Sequence, residues 1–142
     1  MYKGTKIPSE LLDAYKSTNF EVLTQETFVL KIHSQSEHLQ SLYKQYLINT
    51  ACFITAYNPF SETVSKLENE EAQLRLLEDI KASELPYFSG IGSDPSGEWD
   101  GEPSFLILGI SKNSAEALGK RYKQNAIVWC DDDCTPELLL LR

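Results

Sequence analysis

Two short stretches are almost unbroken apolar runs: Ala51-Cys52-Phe53-Ile54-Thr55-Ala56-Tyr57 and Ser104-Phe105-Leu106-Ile107-Leu108-Gly109-Ile110. A strand with one wet face alternates apolar and polar residues, whereas a strand covered on both faces does not, so the two runs read as the centre of a sheet. A sheet covered on both sides needs helices packed against it, which points to an α/β domain, or to the α+β variant of that class.

The rest of the chain supplies those helices. Ser9 to Tyr15 reads as a short helix with Ser9 as its cap, presenting Leu11, Leu12 and Tyr15. Phe20 to Leu23 and Thr27 to Ile32 are rich in aromatic and β-branched residues and read as a hairpin about Thr24-Gln25-Glu26. Glu37 to Tyr46 carries Leu39, Leu42, Tyr43 and Tyr46 at helical spacing. Ser61 to Lys81 is the longest helical pattern, and the capping-box pair Ser65 and Glu68 lets its regular part begin at either serine. A strand is expected around Tyr87 to Ile91, a structured loop from Gly92 to Pro103, and a helix from Asn113 or Ser114 to Tyr122. Asn125 to Cys130 and Glu137 to Leu141 read as two further strands about an acidic turn. The order αββαβαββαββ predicts a mixed sheet covered by helices, and no repeat or linker divides residues 1–142, so a single domain is expected.

Composition narrows the function classes. A chain of 142 residues can bury ~70% of its unfolded surface in one core without disulfides. The start, Met1 to Glu10, is polar and has no apolar signal-peptide core, and the longest apolar runs fall far short of the ~20 residues that span a bilayer. A cytoplasmic protein with no membrane contact is therefore expected, its three cysteines reduced. With 21 acidic against 13 basic residues the net charge is -8, which argues against general nucleic-acid binding.

Two constellations can carry chemistry. Thr55, Asn58 and Pro59 close the first apolar run, with Asn69 on the next helix; were that strand parallel, its carboxyl end is where α/β sheets place ligands. The second is Gly97-Glu98-Trp99-Asp100-Gly101-Glu102-Pro103-Ser104, an acidic loop with a tryptophan that enters the second run. Burial near apolar surface raises a carboxyl pKa toward the range of general acid–base work, which makes Glu102 the candidate general base. Turn formation and capping are the competing explanation for both sets. Gly90, Gly92 and Gly97 match no phosphate-binding loop, and the calcium-loop spacing is absent. Cys130 and Cys134 have only Cys52, His33 and His38 to complete a ligand set, so no metal and no cofactor is expected.

Phe53 to Pro59, Glu68-Asn69, Gly97-Glu98-Trp99, Glu102 to Leu106 and Gln124 to Ile127 together resemble a family of short bacterial proteins classed as a domain of unknown function. The resemblance covers residues 51–141. It implies that Thr55, Asn58, Pro59, Asn69, Trp99, Glu102, Ser104 and Gln124 occupy the family's recurrent polar and turn positions, and it implies no activity.

Two functions are expected from these residues. The first is a site for a small polar ligand of nucleobase type, with Glu102 as base and Thr55, Asn58, Asn69, Trp99, Ser104 and Gln124 as ligand-binding residues; amides offer donors and acceptors, and an indole offers a stacking face. The second is an acidic interaction module, in which Glu62, Glu68, Glu70, Glu71, Glu78 and Asp79 attract a basic protein partner. The first carries a geometric demand: Asn58, Asn69, Trp99, Glu102 and Gln124 must meet at one concave site. Asn58 follows its strand and Glu102 precedes the other, so they share a sheet end only if the strands are antiparallel or the loop crosses the sheet.

Overall fold

The computed structural model describes residues 4–142, so the first three residues of the polar start lie outside it. The described elements follow the expected order: α1 (Ser9–Ser17), β1 (Asn19–Val22), β2 (Phe28–Leu30), α2 (Glu37–Tyr46), β3 (Ala51–Ile54), α3 (Lys66–Ala82), β4 (Tyr87–Ser93), β5 (Glu102–Leu108), α4 (Lys112–Arg121), β6 (Ala126–Cys130) and β7 (Pro136–Leu140). All the strands join one sheet in the order β2-β1-β4-β5-β3-β6-β7. Every neighbouring pair is antiparallel, so the fold is the α+β form of the expected class and β3 has no parallel neighbour.

The two apolar runs lie side by side near the middle of this sheet, with Phe53 opposite Leu106 and Ile54 opposite Phe105. Successive side chains of a strand point to opposite faces, and the burial divides accordingly. Phe53, Leu106 and Val128 join Val22, Leu30, Leu39 and Tyr43 in one core, while Cys52, Ile54, Ile107 and Trp129 pack with Leu76 and Ile80 of α3 and Ala115 of α4 in the other. The sheet curls around the first core until its two edges meet. His33, just after β2, donates its N–H to the carbonyl of Pro136 in β7 at 2.8 Å, and Ser36 does the same to Cys134 at 2.9 Å. Helix α2 covers that end of the curl, where Tyr43 donates its hydroxyl to the Cys130 and Asp131 carbonyls.

The helix starts follow hydroxyl capping. Ser65 accepts from the Glu68 amide and donates to its carboxylate, the capping box read from the sequence, so α3 is capped four residues after Ser61. In α4 the cap is Ser111, not Asn113 or Ser114: its hydroxyl lies three residues before the free Ser114 amide that it accepts from. Ser9 is not a cap; it is the first residue of α1 and follows Pro8, which has no side-chain oxygen to offer.

Strand β3 stops at Ile54, three residues before the end of its apolar run, and the partner strand supplies the reason. Continued in register, Ala56 would face Pro103, which has no N–H to give to the ladder. Thr55 Oγ1 instead donates to the Pro103 carbonyl at 2.7 Å, and the Ala56 N–H goes to Gln73 Oε1 of α3 at 2.9 Å. The chain is released from the sheet there and turns across its end. On the other side, β4 and β5 pair further than expected: Gly92 lies opposite Glu102 and Ile91 opposite Pro103, which reduces the predicted Gly92 to Pro103 loop to residues 94–101.

Candidate functional site

Because β3 and β5 are antiparallel, the end of one lies beside the start of the other, and the segment leaving β3 meets the one entering β5. Between them, at the end of the curl opposite α2, opens a cleft of about 450 Å³. Strand residues Phe20, Phe53, Gly92, Ser104, Val128 and Leu138 line its floor, and Leu11, Ala14, Tyr15 and Thr18 of α1 and its cap form a side wall. Glycine keeps part of that floor open. A Cβ on Gly90 would stand 2.6 Å from the Phe53 ring, which crosses the sheet at that point, while one on Gly92 would meet nothing closer than Thr18 at 3.8 Å.

The polar wall is built on the turn that follows β3. Asn58 has φ 46°, Phe60 54° and Ser61 61°, three left-handed non-glycine residues within four positions. Each such residue costs about 1–3 kcal/mol and persists where its surroundings over-determine it. Here the Asn58 N–H donates to Asn69 Oδ1 at 2.8 Å, the Phe60 N–H to the Lys123 carbonyl at 2.7 Å and the Ser61 N–H to the Asn58 carbonyl at 2.7 Å.

The side chains continue this chain of donors into the cleft. Asn69 Nδ2 donates to Asn58 Oδ1 at 2.9 Å, and Asn58 Nδ2 donates to Glu102 Oε2 at 3.0 Å. Asn58 Oδ1 also accepts the Val64 N–H, so the carbonyl oxygen is fixed toward α3 and the amino group toward Glu102. Burial raises the Glu102 carboxyl above its ordinary 4.5, and the Asn58 hydrogen bond offsets part of that rise. Its other oxygen, Oε1, accepts nothing among the described residues.

Of the residues singled out in the sequence, Thr55, Asn58, Trp99, Glu102, Ser104 and Gln124 all line this cleft. Asn69 stands behind the wall, 6% exposed, and acts on the cleft through Asn58. Thr55 and Ser104 spend their hydroxyls on the carbonyls of Pro103 and Glu102. Gln124 donates its amide to the carbonyls of Tyr57 and Tyr122, leaving Oε1 as a free acceptor among the described residues. Trp99, 38% exposed, projects from a loop tied by Asp94, which accepts from Ser96 and Glu98; the Ser96 hydrogen bond heads the interactions that lower the Asp94 pKa.

Residues that the sequence did not flag complete the wall. Tyr15 and Ser61 meet hydroxyl to hydroxyl at 2.5 Å, and Asn125 Nδ2 donates to both. Arg142 Nη1 donates to Asn125 Oδ1 at 2.9 Å, and its guanidinium lies over the Phe60 ring. Tyr15 reads from sequence as part of an apolar helix face; its one available signal is that a tyrosine carries a polar tip needing a partner when buried. The lining holds two carboxylates, Asp100 and Glu102, and no lysine, arginine or histidine among the described residues.

The remaining candidates have local roles. Gly90 and Gly92 lie within β4. Cys130 and Cys134 are buried, and Asp131 and Asp133 accept from the amides of their own turn. Among the described residues no group of His, Cys, Asp and Glu is arranged to hold a metal ion. Of the acids on α3, Glu68 closes the capping box, Glu70 pairs with Lys66, and Asp79 pairs with Arg121 and accepts from Tyr122. No described helix is long and apolar enough to cross a membrane.

A family model described as a protein of unknown function (DUF3293) matches residues 54–127, just over half of the chain. The matched range contains every site residue expected from the sequence and excludes Tyr15. No curated protein and no solved structure matches.

Proposed function

The chain belongs to the DUF3293 family, whose description assigns no activity, and from the cleft we propose that the protein binds a small, planar, polar ligand of nucleobase type, with Glu102 as its acid–base group. One observation carries this reading: a largely buried carboxylate, raised in pKa and tethered through one oxygen by a fixed amide, keeps its second oxygen without a partner among the described residues, in a cleft that also offers an indole face. A carboxyl group so raised exchanges protons nearer neutral pH than a solvated one, and a tethered one is already oriented. The volume of about 450 Å³ falls within the range of small-molecule sites. Gln124 Oε1 adds an acceptor, and Trp99 a surface on which a flat ring can stack.

A calorimetric screen of the folded protein against nucleobases, nucleosides and amino-acid derivatives tests the reading. At least one planar polar compound is expected to bind, and Trp99→Ala to weaken it. A folded sample that binds none of them overturns the proposal.

A further inference from the structure

The hydroxyl pair of Tyr15 and Ser61 obeys a strict hydrogen count. Asn125 Nδ2 lies 3.1 and 3.2 Å from two hydroxyl oxygens that are themselves 2.5 Å apart, so the amide only donates to the pair, sharing an N–H between the two oxygens. The two hydroxyls own two hydrogens between them, and their 2.5 Å contact uses one. Neither makes another hydrogen bond among the described residues, so one hydroxyl hydrogen remains to be donated, and both side chains line the cleft. Behind the pair, the Arg142 guanidinium donates to Asn125 Oδ1, which polarises that amide and strengthens the donor at the far end of the chain.

A donor at this place complements Glu102. Asn58, which orients the Glu102 carboxylate, is three residues from Ser61 on the same left-handed turn, and the Ser61 N–H is bound to the Asn58 carbonyl. One strained turn thus fixes an acceptor and a donor in a single cleft.

We propose that the Tyr15–Ser61 pair is the specificity-determining donor of the cleft, giving one hydrogen bond to a ring carbonyl while Glu102 receives a ring or exocyclic N–H. The ligand class is then an unphosphorylated lactam-type heterocycle, one carrying both N–H and C=O. Phosphate is disfavoured because the lining presents Asp100 and Glu102 and no cationic side chain among the described residues. This inference rests on the ligand-site reading above and deepens it.

The test compares ring pairs that differ in the carbonyl: hypoxanthine against adenine, and 2-pyridone against 2-aminopyridine. The wild-type protein is expected to bind the oxo member of each pair about 3- to 10-fold more tightly, the worth of one hydrogen bond. Inosine is expected to bind better than its 5′-monophosphate. Tyr15→Phe and Ser61→Ala alone retain the oxo preference, since the surviving hydroxyl keeps its hydrogen, and the double variant loses it. Equal binding of oxo and amino rings by the wild type overturns the inference while leaving the cleft reading intact. A folded double variant that keeps the preference also overturns it and makes the pair a brace for α1. If the double variant does not fold, the wild-type ring pairs alone decide. Binding of none of the four rings overturns the inference, and the wider screen then shows whether the cleft reading falls with it.

Discussion

Asn69 is predicted to be the most sensitive polar residue of the wall, although it touches the cleft only through Asn58. Its side chain makes two hydrogen bonds to Asn58, accepting from the backbone N–H and donating to Oδ1. Asn69→Ala leaves the Asn58 N–H without a partner, at a cost of about 1–3 kcal/mol for an orphaned donor, while Oδ1 keeps the Val64 amide and loses about 1 kcal/mol. The sum is roughly 2–4 kcal/mol, which lowers the melting temperature of a domain of this size by about 6–16 °C. Asn69→Asp separates packing from polarity, because it keeps the shape and the bond to the Asn58 N–H but turns an oxygen toward Asn58 Oδ1. Asn58 must then rotate its amide, presenting oxygen to Glu102, so the Glu102 pKa rises further. Thermal melts with an NMR titration of the Glu102 carboxyl read both effects. An Asn69→Asp protein with wild-type melting temperature and wild-type Glu102 titration refutes the directional amide chain.

Glu102→Gln should melt no lower than the wild type at pH 7. The folded-state pKa of Glu102 is raised, so the folded chain holds a proton that the unfolded chain releases, and stability falls as pH climbs from the ordinary 4.5 to the raised value. The advantage of the variant should disappear below about pH 4, where both states are protonated; a loss of equal size at pH 4 and pH 7 marks the side chain as structural. Gly90→Ala forces a Cβ against the Phe53 ring and the Glu21 carbonyl and should cost about 1–3 kcal/mol in a urea melt, with Gly92→Ala far milder; equal costs contradict the packing described. Burial raises the Cys52, Cys130 and Cys134 thiols, so a thiol reagent should label them slowly in the native state and quickly in urea, and chelator should leave the melting temperature unchanged. Fast native labelling, or unfolding by chelator, contradicts this.

Most of the fold was legible because it is written in local patterns. Element order, the capping box at Ser65 and the two central strands follow from periodicity and from side-chain chemistry within a few residues. The early end of β3 was not legible, since it depends on Pro103, 47 positions beyond Ala56, lacking an N–H at a register that only the assembled sheet defines. The gathering of Asn58, Trp99, Glu102 and Gln124 could be posed from sequence only as a condition, because strand direction decides it and strand direction leaves no local trace. Tyr15, Ser61 and Asn125 were missed for another reason. Each fits an ordinary role in its own segment, as helix face, helix cap and strand start, and their common network spans 110 positions.

The central claim is that the cleft at the β3–β5 end receives a planar polar ligand. Its most direct test is an NMR spectrum of the side-chain amide and indole N–H groups, with nucleobases added one at a time. The account predicts that at least one base shifts Asn58, Gln124 and Trp99 together while the indole of Trp129, in the opposite core, stays in place. A folded protein in which no base moves those three signals, or in which the Trp129 indole moves in their place, contradicts it.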